Sequence, residues 1–138
     1  MIREIALVSA IALLGAVPFL PQSAPSSKSV AVSVAPDIAR QTNPVHPTAA
    51  GMLQAKRMYG WDCAMCHGKD GGGDGDMASQ LKTKLKDYRD PASLKGMTDG
   101  ELYYIIDKGK GEMTGEGQRA KPEEIWNMVT LVRSFSKK

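Results

Sequence analysis

The sequence predicts a small all-α domain of three to four helices. Three stretches place apolar residues at helical spacing, and each follows a residue suited to a helix start. No run of five or more residues alternates cleanly between apolar and polar side chains, so we predict no sheet. A length of 138 residues favours one domain. A net charge of +3 without a basic stripe argues against nucleic-acid binding.

The N-terminus has the pattern of an export signal. One Arg precedes an apolar run from Ile5 to Leu20, which would measure about 24 Å as a helix against a hydrocarbon core of about 30 Å. We predict that residues 1–24 form a secretory signal peptide. An uncleaved inner-membrane anchor is the alternative, because the cleavage site is imperfect. In either case we expect the folded part of the chain in the periplasm.

Residues 25–47 are rich in Pro, Ser, Ala and Val and carry few charges. Because such a composition buries little surface, we predict a linker here. The folded domain is then expected to comprise residues 48–138. Domains this small commonly need a cofactor or a covalent staple to complete their core.

The first predicted helix begins after Thr48, a suitable N-cap, and runs towards a pair of cysteines. A further short helix is expected over residues 80–90. The apolar stripe of the first helix consists of Met52, Ala55, Met58 and Tyr59.

Two more helices are predicted in the C-terminal third. Thr98 at the N-cap and Glu101 three residues later form a capping box, and Gly109 ends this helix. The last helix has Pro122 in its first turn, followed by two glutamates at its positive end. The apolar stripes of the two helices are Leu102, Ile105 and Ile106, and Ile125, Trp126, Val129, Val132 and Phe135.

Both cysteines and one of the two histidines lie together in the sequence CAMCH. Cys63 and Cys66 are three residues apart, which puts two thiols on one face of a helical turn, and His67 follows directly. C-x-x-C-H is the signature of covalent c-type haem attachment, in which the thiols become thioethers and the histidine ligates the iron. We therefore predict that Cys63 and Cys66 bind haem and that His67 is a metal ligand.

Other uses of this stretch stay open. A redox dithiol would need a thioredoxin-like βαβ context, a structural zinc would need a fourth ligand, and a disulfide would close a very small loop. In the glycine-rich stretch that follows, calcium could bind Asp70, Asp74 and Asp76, although no bidentate glutamate stands at the expected end.

From Ala49 to Phe135 the sequence resembles a bacterial class I mono-haem cytochrome c. The resemblance rests on YGWDCAMCHGKDGGGDG, the Thr98 helix, a Met-bearing loop and EEIWNMVTLVRSF, in that order. It implies a small cytochrome c fold wrapped around one covalently attached haem c per chain, with the first and last helices crossing near right angles. It also implies that the glycines after the motif let the loop pass close to the haem edge.

The resemblance further implies a second axial ligand, a methionine, in the loop between the last two helices. Met113 lies in that loop, DKGKGEMTGEGQ, and is the predicted metal ligand, with Met97 as the alternative. The family often has Pro directly after this methionine, whereas this chain has Thr114, so we expect a looser loop. The other histidine, His46, lies between two prolines and is not expected to ligate.

These observations predict an electron carrier and not an enzyme. The expected function is to shuttle single electrons between periplasmic or membrane-bound redox partners, with a His/Met haem of raised reduction potential. One alternative is a membrane-tethered cytochrome subunit of an oxidase or dehydrogenase complex. Another is a haem peroxidase-like enzyme, which would require an iron that Met113 leaves open. Tyr88 is expected either to hydrogen-bond a haem propionate or to lie at the surface.

Overall fold

The computed structural model describes residues 34–137. The predicted export signal and the first part of the predicted linker lie outside these residues. No helix within the described range is long and apolar enough to cross a membrane. In chain order the elements are α1 (Pro36–Ala39), α2 (Ala49–Met58), a π-helical turn (Tyr59–Cys63), α3 (Ala64–His67), α4 (Asp99–Lys108), β1 (Gly109–Lys110), β2 (Met113–Thr114) and α5 (Pro122–Ser134), with 3₁₀ turns at Ala78–Gln80, Pro91–Leu94 and Phe135–Lys137.

The predicted helix starts are confirmed. Thr48 Oγ1 accepts a hydrogen bond from the Gly51 amide at 3.0 Å. Thr98 Oγ1 accepts one from the Glu101 amide at 3.1 Å, and Glu101 Oε2 accepts one from the Thr98 amide at 2.8 Å, which completes the capping box. Pro122 is the first residue of α5. The side chains of Thr48, Thr98 and Glu101 thus satisfy amides that have no partner within their own helix.

Two local predictions were wrong. We predicted no sheet, but β1 and β2 pair as an antiparallel ladder of two residues each, too short to produce alternation in the sequence. The short helix expected over residues 80–90 does not form. Its backbone pairs elsewhere, since the Tyr88 amide donates to the Gly71 carbonyl at 2.7 Å. Pro91 also disfavours helical geometry at the preceding residue.

The core lies where α2 and α4 pack against α5. On α5, Ile125, Met128 and Val129 are at most 2% exposed, and burying each such side chain stabilises the fold by about 1.5–3 kcal/mol. Met52, Met58 and Ile105 of the predicted stripes are only partly buried. The stripe residues that are buried are Ala55, Tyr59, Leu102, Ile106, Ile125, Trp126, Val129, Val132 and Phe135.

Residues 36–45, which lie in the predicted linker, pack against the helices. The Gly100 amide at the start of α4 donates to the Gln41 carbonyl at 3.1 Å, and Asn43 Nδ2 donates to the Trp126 carbonyl of α5 at 3.0 Å. This segment therefore joins α4 to α5, although its composition indicated little capacity to bury surface. The domain boundary at residue 48 stays a prediction.

Candidate functional site

One apolar cavity lies between the helices and the β1–β2 hairpin. Three of the four predicted site residues contribute to its wall: Cys63 and His67 of the CAMCH motif, and Met113 from a separate segment. Cys66 is half-buried but is not among the lining residues. The cavity is lined by Tyr59, Cys63, His67, Tyr88, Leu102, Ile105, Ile106, Met113, Met128 and Val132.

The CAMCH motif spans the end of the π-helical turn and α3. Turns of this wider type are frequent at functional sites. Tyr59 opens the turn, packs its ring 5.1 Å from that of Phe135, and donates its hydroxyl hydrogen to the Gly68 carbonyl at 2.9 Å. Burial raises the pKa of Tyr59 well above its ordinary value, so this hydroxyl stays a donor.

The glycine-rich stretch folds back onto the end of α3. The Gly73 amide donates to the His67 carbonyl at 2.8 Å, and the Gly75 amide donates to the Cys66 carbonyl at 3.1 Å. These bonds satisfy carbonyls that a helix C-terminus leaves without partners. A Cβ on Gly75 would clash with the Ala64 carbonyl, so the approach requires glycine. Positive φ angles occur at Gly68, Gly71 and Gly73.

Cys63 and Cys66 do not form a disulfide with each other. Burial raises the pKa of Cys63 to about 12, and the nearby carboxylates of Glu116 and Asp62 add to the effect. Such a thiol is protonated at neutral pH and is a weak nucleophile, which disfavours the redox-dithiol interpretation. Within residues 34–137 no group of three or more His, Cys, Asp or Glu side chains could hold a metal ion, which leaves the zinc and calcium interpretations without support there.

The His67 imidazole is half-buried, and burial lowers its pKa. Its Nδ1 is buried without a hydrogen-bond partner. The ring stacks on Tyr88, with centroids 5.3 Å apart and planes 20° apart, so Tyr88 faces the cavity instead of lying at the surface. A neutral imidazole with a buried, unpaired nitrogen is suited to ligating a metal.

Two methionines line the cavity, Met113 of β2 and Met128 of α5. Met128 is 2% exposed and packs in the core, as its place on the α5 stripe indicates. Met97, the alternative ligand, is not among the lining residues, and its carbonyl accepts a hydrogen bond from Arg133 Nη2 at 2.6 Å. His46 is exposed and is also absent from the cavity wall.

The Met113 loop is fixed at the end of α4. In the hairpin Met113 pairs with Lys110, and Thr114 pairs with Gly109. Beyond the hairpin, the Glu116 amide donates to the Ile106 carbonyl at 2.8 Å. The last carbonyls of α4 thus hold the loop that carries the thioether to the cavity.

A family model described as cytochrome c oxidase, cbb3-type, subunit III matches residues 50–132, more than half of the chain. The chain belongs to this cytochrome family. The family confirms the predicted resemblance to c-type cytochromes and the function as an electron-transfer cytochrome. It implies covalently bound haem c and redox protein partners for the cytochrome.

Solved structures agree on the fold. The cytochrome is similar to a chain titled "Kuenenia stuttgartiensis reducing HAO-like protein complex Kustc0457/Kustc0458", with a TM-score of 0.60 and 25% identity over 67% of this chain and 46% of that one. It therefore spans less than half of that protein. It is also similar to the "KustC0563 c-type cytochrome", with a TM-score of 0.52 and 27% identity over 59% of this chain and 95% of that one.

These likenesses confirm the predicted all-α cytochrome c fold. The search of curated proteins finds no match to this sequence.

The side chains of the cytochrome at this cavity fit a haem of the c type. Such a haem is attached by two thiols and ligated by an imidazole and a thioether. The cavity wall supplies one thiol, the imidazole and the thioether, and the second thiol, that of Cys66, lies in the same motif. The buried, unpaired Nδ1 of His67 is a polar atom for which the surrounding protein supplies no partner. Apolar side chains from α4 and α5 complete the wall.

Sequence reasoning missed a charged cluster beside this site of the cytochrome. Arg119 pairs with Glu116 at 2.7 Å and with Asp62 at 3.3 Å. Asp62 and Arg119 are far apart in the chain, so no local spacing indicates their pairing. A buried glutamate in a loop also has no sequence signature that separates it from an exposed one.

Proposed function

We propose that the protein carries one haem c, attached through Cys63 and Cys66 and ligated by His67 and Met113. It passes single electrons between redox proteins and catalyses no reaction of its own. The observation that carries this proposal is that Cys63 and His67 of the CAMCH motif and Met113 of a distant loop line one apolar cavity. The membership of the cytochrome family supports it further.

Each part of the site has a role in this proposal. When bound, haem c supplies one-electron chemistry through its iron. A histidine and a methionine ligand together raise the reduction potential, and ligands retained in both oxidation states keep reorganisation small. The apolar side chains of Leu102, Ile106 and Val132 limit the access of water to the cavity, which tunes the potential as well.

The cavity wall favours a carrier over a peroxidase-like enzyme. Such an enzyme would need an open iron position and polar side chains that act on a bound peroxide. Among the described residues that line the cavity, His67 is the one histidine, and there is no arginine. The presence of Met113 in that wall supports a closed ligand set.

We also propose export to the periplasm, with residues 1–24 acting as the signal. A second candidate function is a tethered cytochrome subunit of a respiratory oxidase, which the description of the matched family favours. Mass spectrometry of the mature chain separates the two. A chain cleaved near residue 24 in the periplasmic fraction supports the free carrier, whereas an intact Met1 terminus in the membrane fraction supports the tether.

The proposed attachment is tested in a host that matures c-type cytochromes. We expect the wild-type protein to carry one covalent haem by mass and to show a low-spin spectrum with a sulfur–iron charge-transfer band in its ferric form. Cys66→Ser removes one thioether, so the yield of covalently retained haem should fall severalfold. Ala64→Ser, in the same turn, is the control and should retain the wild-type yield of covalent haem. Wild-type protein with the mass of bare polypeptide would refute the proposal.

A further inference from the structure

Arg119 connects the two segments that carry the proposed haem ligands. Its Nη1 lies 3.3 Å from Asp62 Oδ1, and Asp62 directly precedes Cys63. Its Nη2 lies 2.7 Å from Glu116 Oε1, and Glu116 follows Met113 by three residues. One guanidinium therefore bridges the CAMCH segment and the Met113 loop.

The burial of Glu116 makes this bridge more than a surface ion pair. The Glu116 side chain is 9% exposed, whereas that of Arg119 is 58% exposed. An ion pair between exposed groups contributes little, but a buried carboxylate that loses its charged partner is strongly destabilising. Without the guanidinium, Glu116 would have to turn towards solvent or stay buried without this partner.

A movement of Glu116 would act directly on the loop. The Glu116 amide donates to the Ile106 carbonyl at 2.8 Å, and its own carbonyl accepts bonds from the amides of Arg119 and Ala120 at 2.8 and 2.9 Å. The residue is thus a fixed point between the end of α4 and the start of α5. Met113 lies between this point and the hairpin turn.

We propose that Arg119 is a positioning residue, which holds the Met113 loop against the CAMCH segment through its bridge to Glu116 and Asp62. In the haem-loaded protein the bridge keeps the Met113 thioether at the iron and makes its replacement by an outside ligand costly. This inference rests on the proposed function, because it assumes that Met113 is a ligand.

The chain supplies a matched control. Arg89 also bridges two carboxylates, Asp87 at 2.8 Å and Asp70 at 3.0 Å, and its side chain is 45% exposed. Both of its partners are exposed to a similar degree, and neither belongs to the Met113 loop. Arg89→Gln therefore removes an equivalent charge and bridge without affecting Glu116.

The test titrates the ferric protein with imidazole and follows the loss of the sulfur–iron charge-transfer band. For Arg119→Gln we expect the half-replacement concentration to fall about tenfold, between the effects of exposed and buried ion pairs. Arg119→Lys keeps the charge but lacks the planar fork, so its half-replacement concentration should fall about threefold. The half-replacement concentration of Arg89→Gln should stay within about twofold of the wild-type value.

The outcomes separate the two proposals. A folded Arg119→Gln protein that matches wild type and Arg89→Gln would overturn the positioning role. If the Arg119→Gln protein does not accumulate, Arg119→Lys provides the test. A titration of Arg119→Lys that matches wild type then overturns the positioning role. Wild-type protein without covalent haem or without the band would refute the proposed function, and this inference with it.

Discussion

The CAMCH segment and the Met113 loop line the same cavity, but different contacts hold them in place. The CAMCH segment is held by neighbours in sequence, namely Tyr59 and the glycine-rich stretch that caps the carbonyls of α3. The Met113 loop is held by the end of α4 and by the Arg119 bridge to Asp62. These hydrogen bonds join residues close in sequence both on the histidine side, which is the CAMCH segment, and on the methionine side, which is the Met113 loop. The methionine side adds an ion pair between Arg119 and Asp62, which are 57 residues apart.

This difference indicates which half of the site is easier to perturb. A loop closed by its own neighbours needs only a small loss of chain entropy to form, whereas contacts between distant residues form only when the whole fold is in place. We therefore expect the attachment motif to tolerate changes elsewhere in the protein. The position of Met113 should respond to changes at α4, at the hairpin and at Arg119.

The largest expected effect comes from removing the thioether. Met113→Leu conserves volume but cannot ligate iron, so the sulfur–iron band should disappear and the reduction potential should fall. Spectra and redox titrations of the purified protein measure both. Met97→Leu and Met128→Leu are the matched controls and should retain the band. If either of them loses it while Met113→Leu does not, the ligand assignment is wrong.

The next effect tests the histidine side. In Gly75→Ala the new Cβ would clash with the backbone carbonyls of Ala64 and Met65, so we expect a loss of about 3 kcal/mol in the free energy of unfolding. Denaturant unfolding of the haem-loaded protein measures it. Gly60→Ala adds a Cβ that meets no neighbour and should leave stability nearly unchanged. Equal stability of both variants would contradict the close packing of the loop.

The smallest effect concerns the hairpin. Gly109 has φ +83°, and a Cβ there would clash with the Met113 carbonyl, whereas Gly111 has φ +61° with open space around it. Gly111→Ala should lower the free energy of unfolding by about 1 kcal/mol, because alanine disfavours the left-handed backbone at this position. Gly109→Ala should cost about 2 kcal/mol and also weaken the sulfur–iron band. An unaffected band would argue that the hairpin does not position Met113.

Much of the fold could be predicted from local patterns. The capping box at Thr98 and Glu101 depends on residues three apart, and the stripe of α5 depends on helical spacing. The C-x-x-C-H spacing likewise led to Cys63, Cys66 and His67 without any knowledge of the rest of the chain. Their role in binding haem stays a prediction that the experiments above test.

Other features have no local pattern. The β1–β2 ladder is too short to produce alternation. The contact of Asn43 with α5 is hidden in a segment whose composition indicates a linker. Tyr88 gave two sequence interpretations, and the stacking of its ring on His67 depends on a loop that returns to the cavity.

By itself the sequence determined the three long helices α2, α4 and α5, the caps at Thr48 and Thr98 and the thiol–thiol–imidazole motif, because hydrogen bonds and side-chain spacing within a few residues decide them. Only the tertiary structure decided that Met113, and neither Met97 nor His46, lies at the cavity. It alone also decided that Arg119 joins Glu116 to Asp62. The position of Met113 and the bridge made by Arg119 depend on which buried surfaces and charges meet when distant segments pack, and no short stretch of sequence contains that information.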